Sequence, residues 1–357
     1  MLLCENIPLA PLTTFKIGGP ARYFVEAKTI GEAQEAVAFA RSHDLPLFVL
    51  GGGSNLLIAD DGWPGLVLKI AITGIEQQSG DDNGRVLFEV GAGECWDRFV
   101  GRMVLSRHAG VECLSGIPGS VGGTPVQNVG AYGQEVSETI SSVQVLDLHN
   151  NDLHNNKDAQ VRELCAEACG FSYRSSIFNT TERGRFIVLA VTYALEPDGP
   201  PRLAYADLKR HFAGREDPNL AETREAVRHI RALKGMLITP GDADSQSAGS
   251  FFKNPVVSEE QHEDLERRAA TRGLTLPSYP ALETRKKVSA AWLVERSGFA
   301  KGFGFGRVGI SSKHALAIVN RGGATAADVL ALKDHIQQRV EEIWGIRLEM
   351  EPVLVGT

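Results

Sequence analysis

The N-terminal part of the chain shows apolar patterns typical of a β-α-β arrangement. Residues 22–25 and 47–50 are predicted to form short strands. Between them, Thr29 and Glu32 have the spacing of a capping box, which marks the start of a helix. Residues 66–70 are predicted to follow as another strand. The predicted helix carries an apolar stripe at helical spacing: Ile30, Ala33, Val37 and Ala40.

The middle of the chain contains short apolar runs that are typical of β-strands. Residues 85–90, 143–148 and 185–195 are predicted strands, and residues 158–169 are predicted to form a helix. The polar run HNNDLHNNK at 149–157 is expected to be a hairpin or loop, and we do not expect its two histidines to bind a metal.

The C-terminal third alternates helices and strands and shows no internal repeat. The pattern therefore predicts an α/β domain in this part of the chain, and we expect a three-part division into 1–72, 73–216 and 217–357. The predicted elements are a basic helix at 222–234, a helix after a capping box at 258–261, a helix at 289–298, a strand at 314–320, a helix from residue 325 and a strand at 347–355.

Composition narrows the class of protein. The chain has 357 residues, 43% of them hydrophobic, with 38 glycines and a net charge of −7. This charge argues against nucleic acid as a partner, because no basic surplus is available to neutralise phosphates. No uninterrupted apolar run of about 18 residues predicts a membrane span, and the N-terminus does not resemble a secretory signal. The five scattered cysteines suggest reduced thiols and a cytoplasmic protein.

Two glycine-rich segments are candidates for binding a ligand through the backbone. Gly51–Gly53 follows a predicted buried strand, so its N–H groups can surround a phosphate oxygen, although such a turn can also be purely structural. Leu56 stands where a dinucleotide fingerprint would need its third glycine. The second segment, 116–133, is too apolar for a linker and too glycine-rich for a helix. Two such segments together suggest a dinucleotide cofactor.

Five motifs occur in the order typical of one family. They are FKIGGPARY at 15–23, GGGSNLL at 51–57, GIPGSVGGTPVQNVGAYGQE at 116–135, YRSSIF at 173–178 and GSFFKNP at 249–255. Together they resemble the UDP-N-acetylenolpyruvoylglucosamine reductases (UDP-N-acetylmuramate dehydrogenases), which are cytoplasmic flavoenzymes of bacterial peptidoglycan synthesis. The resemblance covers essentially the whole chain.

The resemblance implies a fold and a set of ligands. The expected fold is mixed α+β and α/β: a two-part FAD-binding module of the vanillyl-alcohol-oxidase (PCMH) type, followed by a C-terminal α/β substrate-binding domain. FAD is expected to be non-covalent, NADPH to be the co-substrate, and the enzyme to be a monomer with small-molecule substrates. The expected cofactor-binding residues are Gly51, Gly52, Gly53, Ser54, Asn55, Leu56, Gly116, Ile117, Gly119, Ser120, Gly123, Thr124 and Asn128.

The family's reaction assigns a role to Ser250. Hydride transfer to an enolpyruvyl double bond leaves charge at the carboxylate, and the other carbon must then receive a proton. A serine hydroxyl can donate that proton in a dry pocket. A nucleophilic serine would require an elbow with glycine at position 252, where this chain has Phe252. A turn serine bonded to its own backbone is the remaining alternative.

Two further catalytic residues follow from the resemblance. Arg174 matches the arginine beside the substrate carboxylate, which a guanidinium can bind with two hydrogen bonds. The family's terminal glutamate matches Glu351, but Pro352 has shifted by comparison with relatives, so Glu349 is a second candidate. Alternation along a strand would put both glutamates on one face.

Residues around the expected substrate come from the same resemblance. Tyr205 matches a tyrosine of the loop-bearing subtype, which closes over the substrate. The arginines of the basic helix (Arg224, Arg228 and Arg231) share one face and are candidates for binding an anion. Ser311 and His314 depart from many relatives, so a role for the family's histidine does not transfer to this chain. The expected substrate-binding residues are Tyr173, Tyr205, Lys234, Lys253 and Asn254.

Two alternatives remain open from the sequence. An oxidase of the same architecture would often hold its flavin covalently through histidine or cysteine, and the glycine segments contain neither. A flavin- or nucleotide-binding sensor would not need an arginine, a serine and a glutamate that act together.

Overall fold

The computed structural model describes residues 1–149, 159–215, 217–281 and 284–356. The strands are β1 Leu3–Pro8, β2 Pro20–Ala27, β3 Leu47–Leu50, β4 Leu56–Ile58, β5 Trp63–Ile70, β6 Ile75–Gln78, β7 Val86–Gly91, β8 His108–Ala109, β9 Gly130–Ala131, β10 Gln134–Glu135, β11 Ile140–Asp147, β12 Gln160–Cys165, β13 Phe186–Pro197, β14 Val256–Val257, β15 Ser278–Pro280, β16 Lys286–Val288, β17 Gly304–Phe305, β18 Val308–Ile310, β19 Ile318–Asn320 and β20 Val353–Val355. The helices are α1 Ile30–Ser42, α2 Trp96–Leu105, α3 Ala206–His211, α4 Leu220–Leu233, α5 Glu259–Ala270, α6 Ala290–Arg296 and α7 Ala326–Trp344.

The chain forms two compact units. The first comprises Met1–Ile7, Ala21–Gly53 and Trp63–Ala232, and the second comprises Pro8–Pro20, Ser54–Gly62 and Leu233–Thr357. These units describe where the chain packs on itself. The functional division into 1–72, 73–216 and 217–357 stays a prediction.

The first unit is built on two sheets. One has the strand order β1-β2-β5-β3, in which β5 pairs in parallel with both β2 and β3. The other has the order β12-β11-β13-β7-β6, with β8 also paired to β13. The neighbouring strands along this order are antiparallel. Strand β13 lies between β11 and β7, so the long connection from β7 to β11, which includes α2, crosses over the position of β13. Buried apolar side chains from α1, α2 and both sheets form a large core cluster in this unit.

Helix α1 begins where the sequence predicts. The Thr29 side chain accepts a hydrogen bond from the Glu32 N–H at 3.1 Å. The Glu32 carboxylate accepts from the Lys28 N–H at 2.7 Å, one residue before the position of a standard capping box. The apolar stripe is buried at Ala33, Val37 and Ala40, so this face packs into the core.

The second unit packs its helices against three small sheets. The strand orders are β14-β16-β15, β17-β18-β19 and β20-β4, the last pair being parallel. Helix α7 supplies much of the core through the apolar side chains that it spaces three or four residues apart. The carboxylate of Asp60 accepts from the N–H groups of Ala326 and Ala327, at 2.7 and 3.1 Å, and so caps the start of this helix.

Two sequence predictions are corrected by the structure. The predicted helix at 158–169 is wrong: Gln160–Cys165 is an edge strand paired with β11, and only a short 3-10 turn follows at Glu167–Cys169. Most side chains of this strand are exposed, so no apolar helical face exists to bury. The predicted strand at 347–355 is shorter than expected, because only Val353–Val355 forms a ladder, after Pro352.

Most of the run at 149–157 lies outside the described residues, as does the start of the mispredicted helix. All five cysteines lie within the described residues and none forms a disulfide. Within the described chain, no helix is both long enough and apolar enough to cross a membrane.

Candidate functional site

The two glycine segments approach each other closely in the first unit. A Cβ added at Gly52 would overlap Gly119 Cα and would lie 2.5 Å from the Gly119 carbonyl carbon and 2.6 Å from the Ser120 nitrogen. Real Cβ atoms do not approach backbone atoms this closely, so only glycine fits at position 52. The turn after β3 and the start of the long glycine segment therefore form one backbone surface.

Ser120 gives this surface a polar group that lacks a partner. Its side chain is 8% exposed, and within the described chain its Oγ makes no hydrogen bond. A Cβ at Gly51 would stand 3.0 Å from that oxygen, which places the hydroxyl against the first glycine turn. A buried polar atom without a partner is costly in free energy. The arrangement therefore fits a ligand that carries hydrogen-bond acceptors, such as the diphosphate of FAD.

Much of the remaining glycine segment is occupied by its own hydrogen bonds. The Gly116 N–H donates to Asp97 Oδ1 at 2.6 Å, and the N–H groups of Gly123 and Thr124 donate to nearby carbonyls. The Asn128 amide donates to Glu135 and to the Ser172 carbonyl, at 2.9 and 3.1 Å. These predicted cofactor-binding residues thus hold the loop in a fixed shape, and their named donors are engaged within the protein.

Asp97 joins the glycine segment to helix α4. Besides Gly116, its carboxylate accepts hydrogen bonds from Arg224 and Arg228, each at 2.6 Å. Burial opposes ionisation of Asp97, but these hydrogen bonds and charges outweigh it and hold the pKa of the carboxyl below its ordinary value. Arg224 and Arg228 are therefore ion-paired within the first unit. Asp97 was not identified from the sequence.

Arg174 occupies a strained turn in the first unit. Ser172 and Ser175 exchange backbone hydrogen bonds of 2.9 and 3.1 Å, and Arg174 between them has a φ of +56°. Its guanidinium donates to the Gly130 carbonyl at 2.7 Å and lies 5.2 Å from the centre of the Tyr173 ring. The turn thus fixes Arg174 beside the glycine segment, and it brings the predicted residues Tyr173 and Arg174 together.

Tyr205 lies at the start of helix α3 and is 43% exposed. Its ring packs edge-on against Tyr132 of the glycine segment, with ring centres 5.4 Å apart. Tyr132 itself is buried in a small apolar cluster. The cluster also contains Leu208 of α3 and Phe212, which directly follows that helix. The exposed tyrosine is therefore held by a packed neighbour.

Ser250 lies in a half-buried loop of the second unit. The next residue, Phe251, is fully buried and donates its N–H to the Leu316 carbonyl at 2.7 Å, and Phe252 is buried beside it. Gly249, with a φ of +76°, makes the turn before the serine. The next helix after Ser250 begins only at Glu259, so the strand–turn–helix elbow of a nucleophilic serine is not formed.

The same unit brings the C-terminal glutamates to this loop. The Glu351 N–H donates to the Phe251 carbonyl at 2.9 Å, and the Lys253 N–H donates to the Glu349 carbonyl at 3.0 Å. The Glu349 side chain is 77% exposed and lies 3.5 Å from the Lys253 ammonium, whereas Glu351 is half-buried. In place of the strand predicted at these residues, Met350 and Phe252 form a single antiparallel bridge.

Asn55 connects the first glycine motif to the C-terminal segment. Its side chain donates to the Glu351 carbonyl at 3.4 Å, and its own carbonyl accepts from the Val353 N–H at 2.9 Å. Thr14 donates to the carbonyls of Ser54 and Ser247, at 3.3 and 2.7 Å. Predicted cofactor-binding residues and predicted catalytic residues therefore share one hydrogen-bonded framework in the second unit.

The remaining predicted residues of the second unit have mixed surroundings. The Asn254 Oδ1 accepts from the Ala290 N–H at 2.9 Å and so helps to begin helix α6. Lys234 follows the end of helix α4. Ser311 is buried and accepts from the N–H groups of Lys313 and His314, at 3.0 and 3.3 Å, so here it shapes the loop.

Comparisons with known proteins agree with the sequence interpretation. A family model described as an FAD binding domain matches residues 21–154, and one described as the UDP-N-acetylenolpyruvoylglucosamine reductase C-terminal domain matches residues 240–355. The chain is 44% identical to the UDP-N-acetylenolpyruvoylglucosamine reductase of Thermobifida fusca, over 99% of this chain and 98% of the relative. It is 45% identical to that of Streptomyces coelicolor, over 99% and 90%.

A solved structure gives the same result. The crystal structure of the Thermus caldophilus UDP-N-acetylenolpyruvylglucosamine reductase matches with a TM-score of 0.63 and 26% identity, over 99% of this chain and 98% of that chain. The mixed α/β fold with an FAD-binding part and a distinct C-terminal domain is thereby confirmed.

The fold and the two glycine turns define a flavin-dependent oxidoreductase that uses FAD. More particularly, near-complete coverage at more than 40% identity shows that the chain belongs to the UDP-N-acetylenolpyruvoylglucosamine reductase family. The family resemblance read from the five motifs is confirmed.

Proposed function

We propose that this enzyme uses NADPH to reduce the enolpyruvyl group of UDP-N-acetylglucosamine enolpyruvate, which gives UDP-N-acetylmuramate for cytoplasmic peptidoglycan synthesis. The observation that carries the proposal is the identity of 44% to a named reductase over almost the whole of both chains. We further propose that the enzyme is a monomer of the loop-bearing subtype, with Tyr205 on the loop.

In this proposal FAD is held without a covalent bond. Ser120 donates its buried hydroxyl to the cofactor, and the backbone at Gly51 to Gly53 approaches it closely because position 52 has no room for a side chain. Ser54, Asn55 and Leu56, which follow directly in the chain, are further proposed cofactor-binding residues. When bound, FAD would supply the hydride chemistry, with NADPH as the source of the hydride and the terminal carbon of the enolpyruvyl group as its destination.

Ser250 donates the proton that completes the reduction. The buried rings of Phe251 and Phe252 reduce the access of water, so the developing carbanion takes its proton from the hydroxyl and not from solvent. The loop before β14 is fixed by the backbone bond from Phe251 to Leu316, which keeps the hydroxyl in one position.

Arg174 binds the substrate carboxylate and stabilises the negative charge that grows there. A guanidinium is always charged and can offer two parallel N–H donors to a carboxylate. One of its N–H groups donates to Gly130, and this bond orients the rest of the planar group. Preorganised donors of this kind commonly change the rate by about a hundredfold or more.

Glu351 is the glutamate that assists proton delivery. Its backbone is hydrogen-bonded to both Phe251 and Asn55, and its side chain is half-buried. Glu349 is exposed and lies near Lys253, so it serves better as a surface charge. Tyr173, Tyr205, Lys234, Lys253 and Asn254 are the proposed substrate-binding residues.

The test separates the two half-reactions. Anaerobic NADPH should bleach the flavin of the purified protein, and the enolpyruvyl sugar nucleotide should restore its absorbance. Ser250→Ala should leave the first step within about twofold and slow the second by about a hundredfold or more. Equal loss in both steps would contradict the role of Ser250, and bleaching by a sugar alcohol would indicate an oxidase. Glu349→Gln and Glu351→Gln in the same assay distinguish the two glutamates.

A further inference from the structure

The first unit contains a buried carboxylate that the proposed reaction does not use. Glu112 lies in a 3-10 turn after β8, and its exposed fraction is 0%. Charged side chains are rarely buried this completely unless hydrogen bonds satisfy them, because burying an unsatisfied charge is strongly unfavourable. Its partners therefore indicate what it holds in place.

Three donors from three different segments converge on this carboxylate. The Gly110 N–H donates to Oε2 at 2.8 Å. The Arg202 N–H and the Gln134 side-chain amide both donate to Oε1 at 2.9 Å. Gln134 in turn accepts from the Cys113 N–H at 2.9 Å, so the amide is locked in one orientation.

Two of these segments carry the pair of tyrosines. Gln134 pairs with Ala131 in the small β9-β10 hairpin, and Tyr132 lies in the turn between them. Arg202 lies three residues before Tyr205, in the segment that leads into α3. Because the two rings pack edge-on at 5.4 Å, Glu112 joins the backbones that support both members of the pair.

A second contact at the same place supports this interpretation. The Cys113 thiol donates to the Arg202 carbonyl at 3.1 Å, so the N–H and the carbonyl of Arg202 are both bound by the turn at Glu112 and Cys113. The Arg202 side chain, by contrast, pairs with Glu138 at the surface. The backbone of residue 202 is thus held from within the protein, independently of its side chain.

We propose that Glu112 is a positioning residue, whose buried carboxylate holds residues 202–205 against the Tyr132 turn so that Tyr205 is preset for the sugar nucleotide. The inference rests on the proposed function, in which Tyr205 contacts that substrate. A preset loop does not have to be ordered when the substrate binds, and affinity rises by the ordering cost that is avoided.

The sharpest variant is Glu112→Gln, which keeps the shape but replaces one accepting oxygen by an NH₂ group that faces a donor. The dissociation constant of the sugar nucleotide, measured by titration of the oxidised enzyme, should rise about tenfold. Flavin reduction by NADPH and FAD content should stay close to wild type, whereas the melting temperature should fall by a few degrees because one buried donor loses its acceptor. Gln134→Met removes one of the three donors to Glu112, together with the acceptor of the Cys113 N–H, and leaves the carboxylate in place. It should raise the same constant about threefold and provides a second variant if Glu112→Gln does not fold.

Two controls separate positioning from general stability. Glu138→Gln alters the surface partner of the same Arg202 and should leave sugar-nucleotide affinity unchanged. In a Tyr205→Ala background, Glu112→Gln should weaken binding less than twofold further, because the residue that it positions is absent. Additive effects of Glu112→Gln and Tyr205→Ala, or unchanged affinity in folded, flavin-bound Glu112→Gln, would overturn the proposal.

A readout that needs no substrate completes the test. Hydrogen exchange at the Arg202 amide should be at least tenfold faster in Glu112→Gln than in wild type, whereas exchange in α1 should not change. The wild-type enzyme could fail to reduce the sugar nucleotide while exchange at Arg202 is still faster in Glu112→Gln than in wild type. In that case the proposed function is wrong and the anchoring by Glu112 stands. Unchanged exchange at Arg202 refutes the anchoring itself.

Discussion

Gly52→Ala tests whether the contact between the two glycine segments forms the flavin site. The added methyl group would lie 2.5 Å from the Gly119 carbonyl carbon and 2.6 Å from the Ser120 nitrogen. These are backbone atoms, so no side-chain rotation can relieve the overlap. One of the two segments has to move, and the Ser120 hydroxyl moves with it.

The expected magnitude follows from the type of clash. Overpacking a well-packed site usually costs about 1–3 kcal/mol, and a clash with backbone belongs at the upper end of that range. If the strain is relieved by separating the segments, most of it appears as lost FAD affinity, which corresponds to a weakening of about 10- to 100-fold. If the segments stay together, the same strain lowers the stability of the apoprotein.

The assay is a fluorescence titration of apoprotein with FAD, together with thermal unfolding of apo and flavin-bound protein. Gly31→Ala is the matched control, because a Cβ there meets only the Thr29 Oγ1 at 4.0 Å. Glycine inside a helix is less stable than alanine by about 0.5–1 kcal/mol, so the control should bind FAD normally and melt slightly higher. Normal FAD affinity and normal stability in Gly52→Ala would refute the close approach of the segments.

Two further predictions concern carboxylates outside the catalytic set. Asp60→Ala removes the acceptor for two N–H groups at the start of α7, so it should destabilise the protein by about 0.5–2 kcal/mol in urea unfolding; an unchanged midpoint would mean that water replaces the cap without cost. The pKa of Asp97 is lower in the folded protein than the ordinary carboxyl pKa of 3.8. The stability that its charge contributes is therefore complete above pH 3.8 and is lost as the pH falls through the pKa of the folded protein. Below about pH 4, wild-type stability should therefore fall more steeply than that of Asp97→Asn, and parallel curves for the two proteins would contradict the ion pairing.

The fold could be predicted from the sequence where the signal is local. The helices that begin after Thr29, Ser258 and Thr325 are each marked by a side chain that caps a backbone N–H three residues on. The failed helix at 158–169 shows the limit. The strand found there is held by backbone hydrogen bonds to β11, the preceding strand, and the residue pattern at 158–169 does not show that this partner is available.

The site shows the same limit in its charged residues. Arg224 and Arg228 do lie on one helix face, but their counter-charge is Asp97, more than 120 residues earlier, so spacing alone suggested free cations. Glu112 and Asp97 belong to no motif. The one available signal was a charged residue inside an apolar run, as in Val111-Glu112-Cys113-Leu114, since such a charge needs buried partners.

Backbone strain near the glycine segment suggests which side chains the site needs. Asn128, Tyr132 and Arg174 all have a positive φ, where glycine would be more stable by about 1 kcal/mol. Asn128 uses its side chain to hold the loop to Ser172, which explains its presence. Tyr132 supports Tyr205, and Arg174 donates a hydrogen bond to Gly130, so each of these side chains secures a neighbouring part of the site. Side chains are therefore found at strained positions where they hold other parts of the site, and the charge of Arg174 suits the carboxylate that we propose it binds.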